Sequence, residues 1–92
     1  MTTLAITGYE QEGRCEHCGR ALKHCIRISD GRIVGATCFD KKLTQPRVSG
    51  GKKYRVGSQW IIRLAKIAQF VPADKWSTRY GVSAYHMVFE AV

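Results

Sequence analysis

The stretch from Cys15 to Cys38, CEHCGRALKHCIRISDGRIVGATC, holds all four cysteines and two of the three histidines of the chain. Cys15 and Cys18 stand three residues apart, and Gly19 follows, which is the geometry of a zinc knuckle. Two thiolates at that spacing grip one ion, while the glycine lets the chain turn and offer amides to the sulfurs. Cys38 is the natural third ligand. Between the knuckle and Cys38, the runs His24 to Ser29 and Arg32 to Thr37 flank Asp30-Gly31, a pair with the backbone freedom of a type I′ hairpin turn. Pairing Ser29 with Arg32 puts His24 opposite Thr37 and Cys25 opposite Ala36, so both candidates for a fourth ligand lie beside Cys38. Strand parity places Cys25 on the face of Cys38 and turns His24 toward Ile26 and Ile28, whereas a twisted hairpin end reverses that choice. Zinc accepts four thiolates, or three thiolates and an imidazole, equally well. Candidates exceed positions, so the reading is a closed, structural zinc site rather than a catalytic one with a place open to water. The bland alternative is four reduced cysteines serving as small buried hydrophobes. His17, inside the knuckle, reads as a solvated loop residue.

Working outward, Leu4 to Thr7 is a short β-like run ending at Gly8, with a polar stretch up to Arg14. Cys38 to Leu43 has the makings of one helical turn. Residues 44–57, TQPRVSGGKKYRVG, read as a basic loop, or as two short strands around the Gly50-Gly51 turn. Ser58 stands where a helix N-cap belongs, ahead of QWIIRLAKIAQFV. In that helix Ile61, Leu64, Ala65, Ala68 and Val71 share one face, and Gln59, Arg63, Lys66 and Gln69 share the other. Pro72 ends it or opens a second short helix through Tyr80, with Gly81 as the stop. Val82 to Val92 reads as a closing strand, with Tyr85, Met87 and Phe89 on one face. The expected class is α+β: a small antiparallel sheet, a zinc-knuckle/hairpin unit and one main amphipathic helix. A single domain over 1–92 divides into a zinc-ribbon-like unit (15–43), the basic loop (44–57) and the helix with its closing strand (58–92).

A chain of 92 residues hides only about 60% of the surface its unfolded form exposes, so a bound metal would add stability that the core lacks. The opening MTTLAITGYEQEG has neither a basic leader nor a long apolar run, and no stretch approaches the roughly 20 apolar residues that span a bilayer. No signal peptide and no membrane span are expected. A reducing cytoplasm then favours metal-binding cysteines over disulfides.

The net charge of +8 is concentrated. From Lys41 to Ala73 there is no acidic residue, while Lys41, Lys42, Arg47, Lys52, Lys53, Arg55, Arg63 and Lys66 are all basic. Arg63 and Lys66 read as a solvated helix face. Lys52, Lys53 and Arg55, beside two glycines, can follow a phosphate backbone closely. The hairpin, with Arg27 and Arg32, is the competing docking face. Partners are therefore phosphate-rich or acidic.

The string C-x-x-C-G-R-x-L-K-H from Cys15, followed by D-G and G-x-x-C, resembles small zinc-ribbon-like proteins of phages and mobile elements. The resemblance implies His24, the histidine of L-K-H, as the fourth ligand, with Cys25 as the alternative. The chain as a whole is similar to phage-encoded type I-F anti-CRISPR proteins. That likeness implies an inhibitor that binds the CRISPR RNA-guided surveillance complex in the host cytoplasm, on its protein subunits or guide RNA phosphates, and blocks target DNA. A zinc-ribbon nucleic-acid-binding regulator is the alternative.

Catalytic motifs do not assemble. No H-x-E with P-C-x-x-C is present, as a zinc deaminase needs. Gly-Gly-Lys-Lys at 50–53 lacks the first glycine and the Ser or Thr of a P-loop. His86 is the only imidazole outside the metal motif, and neither a general base nor an open metal position can be assigned. A non-enzymatic protein with no small-molecule substrate is expected.

Overall fold

A three-residue loop closes the central hairpin, one residue more than a two-residue turn at Asp30-Gly31 allows. In the computed structural model of the chain, which describes residues 2–92, strand β2 (Ala21–Ile28) pairs antiparallel with β3 (Ile33–Gly35), and Cys25 faces Gly35 across the ladder. Ile28 N–H donates to Arg32 O, Gly31 N–H donates to Ile28 O, and Gly31 sits at φ 92°. A turn followed by a left-handed glycine is the usual three-residue solution. Asp30 supports it by accepting from Arg32 N–H at 2.9 Å. The register expected from a two-residue turn, with Cys25 opposite Ala36, is thereby corrected. A slip of one residue exchanges the faces of a strand.

β1 (Thr3–Arg14) is far longer than the run Leu4 to Thr7 suggests. It pairs with β2 along most of its length and with β6 (Val88–Glu90) at its start, giving the sheet order β3-β2-β1-β6. An irregularity between Ile6 and Gly8 resets the side-chain phase. Leu4 and Ile6 point inward before it and Tyr9 after it, as a bulge permits. Its polar residues Glu10 and Gln11 are strand residues because β2 supplies ladder partners for them, a cause invisible in local propensity.

After β3 the chain coils into α1 (Ala36–Cys38) and a π-helical turn, Phe39–Leu43. β4 (Arg47–Ser49) and β5 (Lys52–Tyr54) form a separate two-stranded sheet, with Gly50 and Gly51 at φ 57° and 78°. Residues 44–57 therefore contain a hairpin rather than a plain loop, and the paired glycines provide the two left-handed positions of its turn.

α2 (Ser58–Phe70) buries Ile61, Leu64, Ala65 and Ile67 against the sheet, with Ala68 and Val71 packed at the margin. Its N-cap is Gly57 at φ 91°, with no side-chain cap, so Ser58 is the first helical residue. Beyond Pro72 a 3-10 turn (Ala73–Lys75) leads into α3 (Trp76–Tyr80), which stops at Gly81 in the left-handed conformation, φ 65°. The expected closing strand is instead α4 (Ala84–Met87) followed by the short β6. Ser83 N–H donates to His86 Nδ1 at 3.0 Å and starts the helical turn. Met87 and Phe89 are buried but Tyr85 is exposed, so strict alternation fails there. Phe89 meets Phe39 edge-on at 5.1 Å, joining the end of the chain to the π-turn.

One core thus runs from Leu4 through Ile26, Val34 and Phe39 to Leu64 and Phe89. Among the described residues, no helix is long and apolar enough to cross a membrane. Leu64→Ala should lower the stability read by urea denaturation by about 2–5 kcal/mol, since the fully buried side chain leaves a cavity. Lys66→Ala, on the exposed face of the same helix, should change it by less than about 0.5 kcal/mol.

Candidate metal centre and the fate of the basic residues

The knuckle is built from backbone hydrogen bonds. Gly19 N–H donates to Cys15 O at 2.7 Å and Cys15 N–H to Arg20 O at 2.9 Å, with Gly19 at φ 79°. Arg14 Nη1 also donates to Gly19 O. Glu16 anchors the knuckle to the hairpin on both sides: its N–H donates to Ile33 O, and its carboxylate accepts from Ile33 N–H at 2.7 Å. Gly35 is small for a reason. A Cβ there would lie 2.6 Å from Leu22 Cδ1, so the missing side chain makes room for Leu22 of β2, and would meet Cys15 Sγ only in ordinary contact at 4.0 Å.

Cys15, Cys18 and α1's Cys38 bring their sulfurs within 4.8 Å of one another. Thiolates about 2.3 Å from a tetrahedral zinc stand about 3.8 Å apart, so the sulfurs need close in by about 1 Å at most. The donor set fits a thiophilic divalent ion. Cys15 is fully buried, Cys38 half-buried and Cys18 exposed. Burial alone pushes the Cys15 thiol up. Hydrogen bonds from the backbone N–H groups of Gly35, Cys18 and His17, and from the Cys18 side chain, outweigh burial and bring it down to about 7. Burial, together with hydrogen bonds to Cys18 and Cys15, leaves Cys38 pushed up to about 12. Cys15 is thus the sulfur of the cluster best supplied with donors, and a metal bound there would displace the thiol protons that remain.

Neither candidate for the fourth ligand belongs to this cluster. His24 hydrogen-bonds through Nδ1 to the Tyr9 hydroxyl, the two rings 5.9 Å apart, although it shares a cavity with Cys18 and Cys38. Cys25 is sealed beneath β1: a Cβ on Gly13 would lie 3.2 Å from its sulfur, and burial pushes its thiol up. The parity argument for Cys25 fails because β3 ends at Gly35, and Cys38 is delivered by a helix rather than by a strand. His17 is exposed, as expected.

Four of the arginines are built into the fold. Arg47 is a clip: its Nη2 donates to the carbonyls of His86 at 2.9 Å and Val88 at 3.1 Å, and its guanidinium lies 4.2 Å from the Phe89 ring centre. Arg55 clips the π-turn, donating to the carbonyls of Asp40 and Thr44. Arg27 pairs with Glu10 and Arg32 with Asp30, each at 2.6 Å. These four arginines, expected on a docking surface, are engaged within the fold because the guanidinium fork suits carbonyl and carboxylate acceptors. Lys41, Lys42, Lys52 and Lys53 are exposed and, among the described residues, have no acidic partner. Reading the sequence for charge alone could not separate the two groups. Nor did it single out Tyr9, whose role depends on the distant His24.

Cys15→Ser, Cys18→Ser and Cys38→Ser should each abolish the metal, about one equivalent by elemental analysis, whereas His24→Ala and Cys25→Ser should retain it. Loss of metal in His24→Ala would return the imidazole to the ligand set. Arg47→Ala should cost about 2 kcal/mol, or roughly 8–16 °C in melting temperature, while Lys52→Ala with Lys53→Ala should leave it unchanged in the same scan. Compared with known proteins, the chain matches no family model, no curated protein and no solved structure.

Proposed function

We infer that the protein is a steric inhibitor of the anti-CRISPR kind. It would be a zinc-stapled basic module that docks on the type I-F CRISPR RNA-guided surveillance complex in the host cytoplasm and occupies the path of target DNA. The observation that carries this reading is the set of unpaired lysines. Lys52 and Lys53 stand on a two-stranded sheet separate from the main one, with exposed Val48 and Tyr54 beside them. Lys41 and Lys42 follow on the outside of the π-turn. Lysines free of internal acids are available to an anionic partner. A protein that acts by filling space needs rigidity more than chemistry, and zinc held by Cys15, Cys18 and Cys38 supplies rigidity to a small core. The imidazole of His86 is engaged with Ser83, which suits a binding role better than general-base catalysis.

The test is a mobility-shift assay with the assembled surveillance complex and its matching DNA. The protein should prevent the shift, should cleave neither RNA nor DNA in the presence of divalent metal, and should leave naked duplex DNA unshifted at moderate salt. Lys52→Glu with Lys53→Glu should weaken inhibition and lower the salt dependence of binding by roughly 0.7 to 0.9 log units for each phosphate left without its lysine. A shift of naked duplex without any effect on the complex would replace the inhibitor with a nucleic-acid-binding regulator.

A further inference from the structure

A second basic surface lies beside α2, apart from the Lys52–Lys53 hairpin and richer in aromatic rings. At its upper end Arg20, Lys23 and Lys42 rim a cavity of about 430 Å³ whose apolar walls include Leu22, Ala36 and Ile62. His24 lies in the same cavity and hydrogen-bonds to Tyr9. The buried Tyr9 ring floors the path rather than facing solvent: Lys66 Nζ covers it at 5.4 Å from its centre, and Phe70 packs 6.3 Å away. Beyond it, Arg63, Lys66, Phe70 and Tyr80 line a second cavity of about 250 Å³. Neither cavity has an Asp or Glu in its lining.

Phe70 is 70% exposed and Tyr80 is 43% exposed. Phe70 at the end of α2 and Tyr80 at the end of α3 are large rings left in water beside two cations, Arg63 and Lys66, and folding leaves them unexplained. Exposed aromatics flanked by unopposed cations match one ligand chemistry closely: the rings take the faces of unpaired bases, and the cations follow the phosphates between them. A duplex keeps its bases stacked and offers these rings nothing. An acidic protein segment would use the cations and leave the rings unused.

We propose that the strip from the Lys23–Lys42 cavity across Tyr9 to Phe70 and Tyr80 is a binding track for single-stranded nucleic acid. The track goes beyond the inhibitor reading and stands whichever assembly the protein docks on. Fluorescence anisotropy of the zinc-loaded full chain tests it, with a labelled oligouridylate of about ten nucleotides, the matching oligodeoxythymidylate and an RNA duplex of equal length as probes. Both single strands should bind, and more tightly than the duplex. Phe70→Ala and Tyr80→Ala should each weaken single-strand binding by about 5- to 150-fold, and the double variant by more than either. Lys23→Glu with Lys42→Glu should lower the salt slope by about 0.7 for each phosphate left without its lysine. All four side chains are exposed, so the melting temperature should hold; if α3 is disturbed, Phe70→Ala alone carries the test. Failure of the wild type to bind either single strand, equal affinity for the duplex, or wild-type binding by both double variants would overturn the track. Single-strand binding by a protein that ignores the surveillance complex would uphold the track and refute the inhibitor. Inhibition of the complex without any single-strand binding would do the reverse.

Discussion

The burial of Cys15 is the constraint around which the remaining parts are arranged. Its sulfur lies where water does not reach, at the junction of the end of β1, the knuckle, the bare backbone of Gly35 and the start of α1. A polar, ionisable atom in that place needs donors or a metal, and its neighbours come both from the knuckle and from segments about twenty residues away. The amides of His17, Cys18 and Gly35 point at it, and Cys38 comes from the helix. The three-residue edge strand β3 is therefore held from two sides: by β2 across the ladder and by Glu16 from the knuckle. In a small chain with one modest core, a cross-link of this kind joins segments that would otherwise separate at little cost.

A second organising rule is the division of labour between arginine and lysine. The guanidinium is planar, weakly hydrated and able to serve several acceptors at once, while the ammonium remains best solvated in water. Arg47 and Arg55 accordingly close helix ends by reaching back to free carbonyls, and Arg27 and Arg32 hold carboxylates on the hairpin. The lysines remain outside. The chemistry of the fork and the ammonium thus separates these four arginines, which hold the fold together, from the lysines left in solvent.

These same physical causes decide what could be read in advance. The cysteine cluster, the buried stripe of α2, the stop at Gly81 and the Gly50-Gly51 turn rest on local spacing and backbone freedom, and each is present where residue order alone places it. The hairpin register was not legible, because Asp30-Gly31 suits both a two-residue turn and the end of a three-residue loop. The difference rests on one hydrogen bond, from Gly31 N–H to Ile28 O. The length of β1 was hidden because its polar half is a strand only while β2 lies beside it. The closing segment failed as a strand for a similar reason: Arg47, almost forty residues earlier, receives the carbonyls of α4 and turns an alternating pattern into a helical turn. The fourth metal ligand was open in the sequence, and the three-sulfur cluster assembles without either candidate.

The Arg47 clip has a consequence for how the surface around it can change over generations. Its hydrogen bonds end on main-chain oxygens, and every residue carries a main-chain oxygen. The clip therefore places no requirement on the side chain at Val88 beyond its ability to follow the same backbone, whereas His86 is also fixed by its hydrogen bond from Ser83. Substitutions can accumulate on that outer turn while its attachment to β4 stays intact. The outer face of that turn can in this way vary while the fold beneath it stays the same.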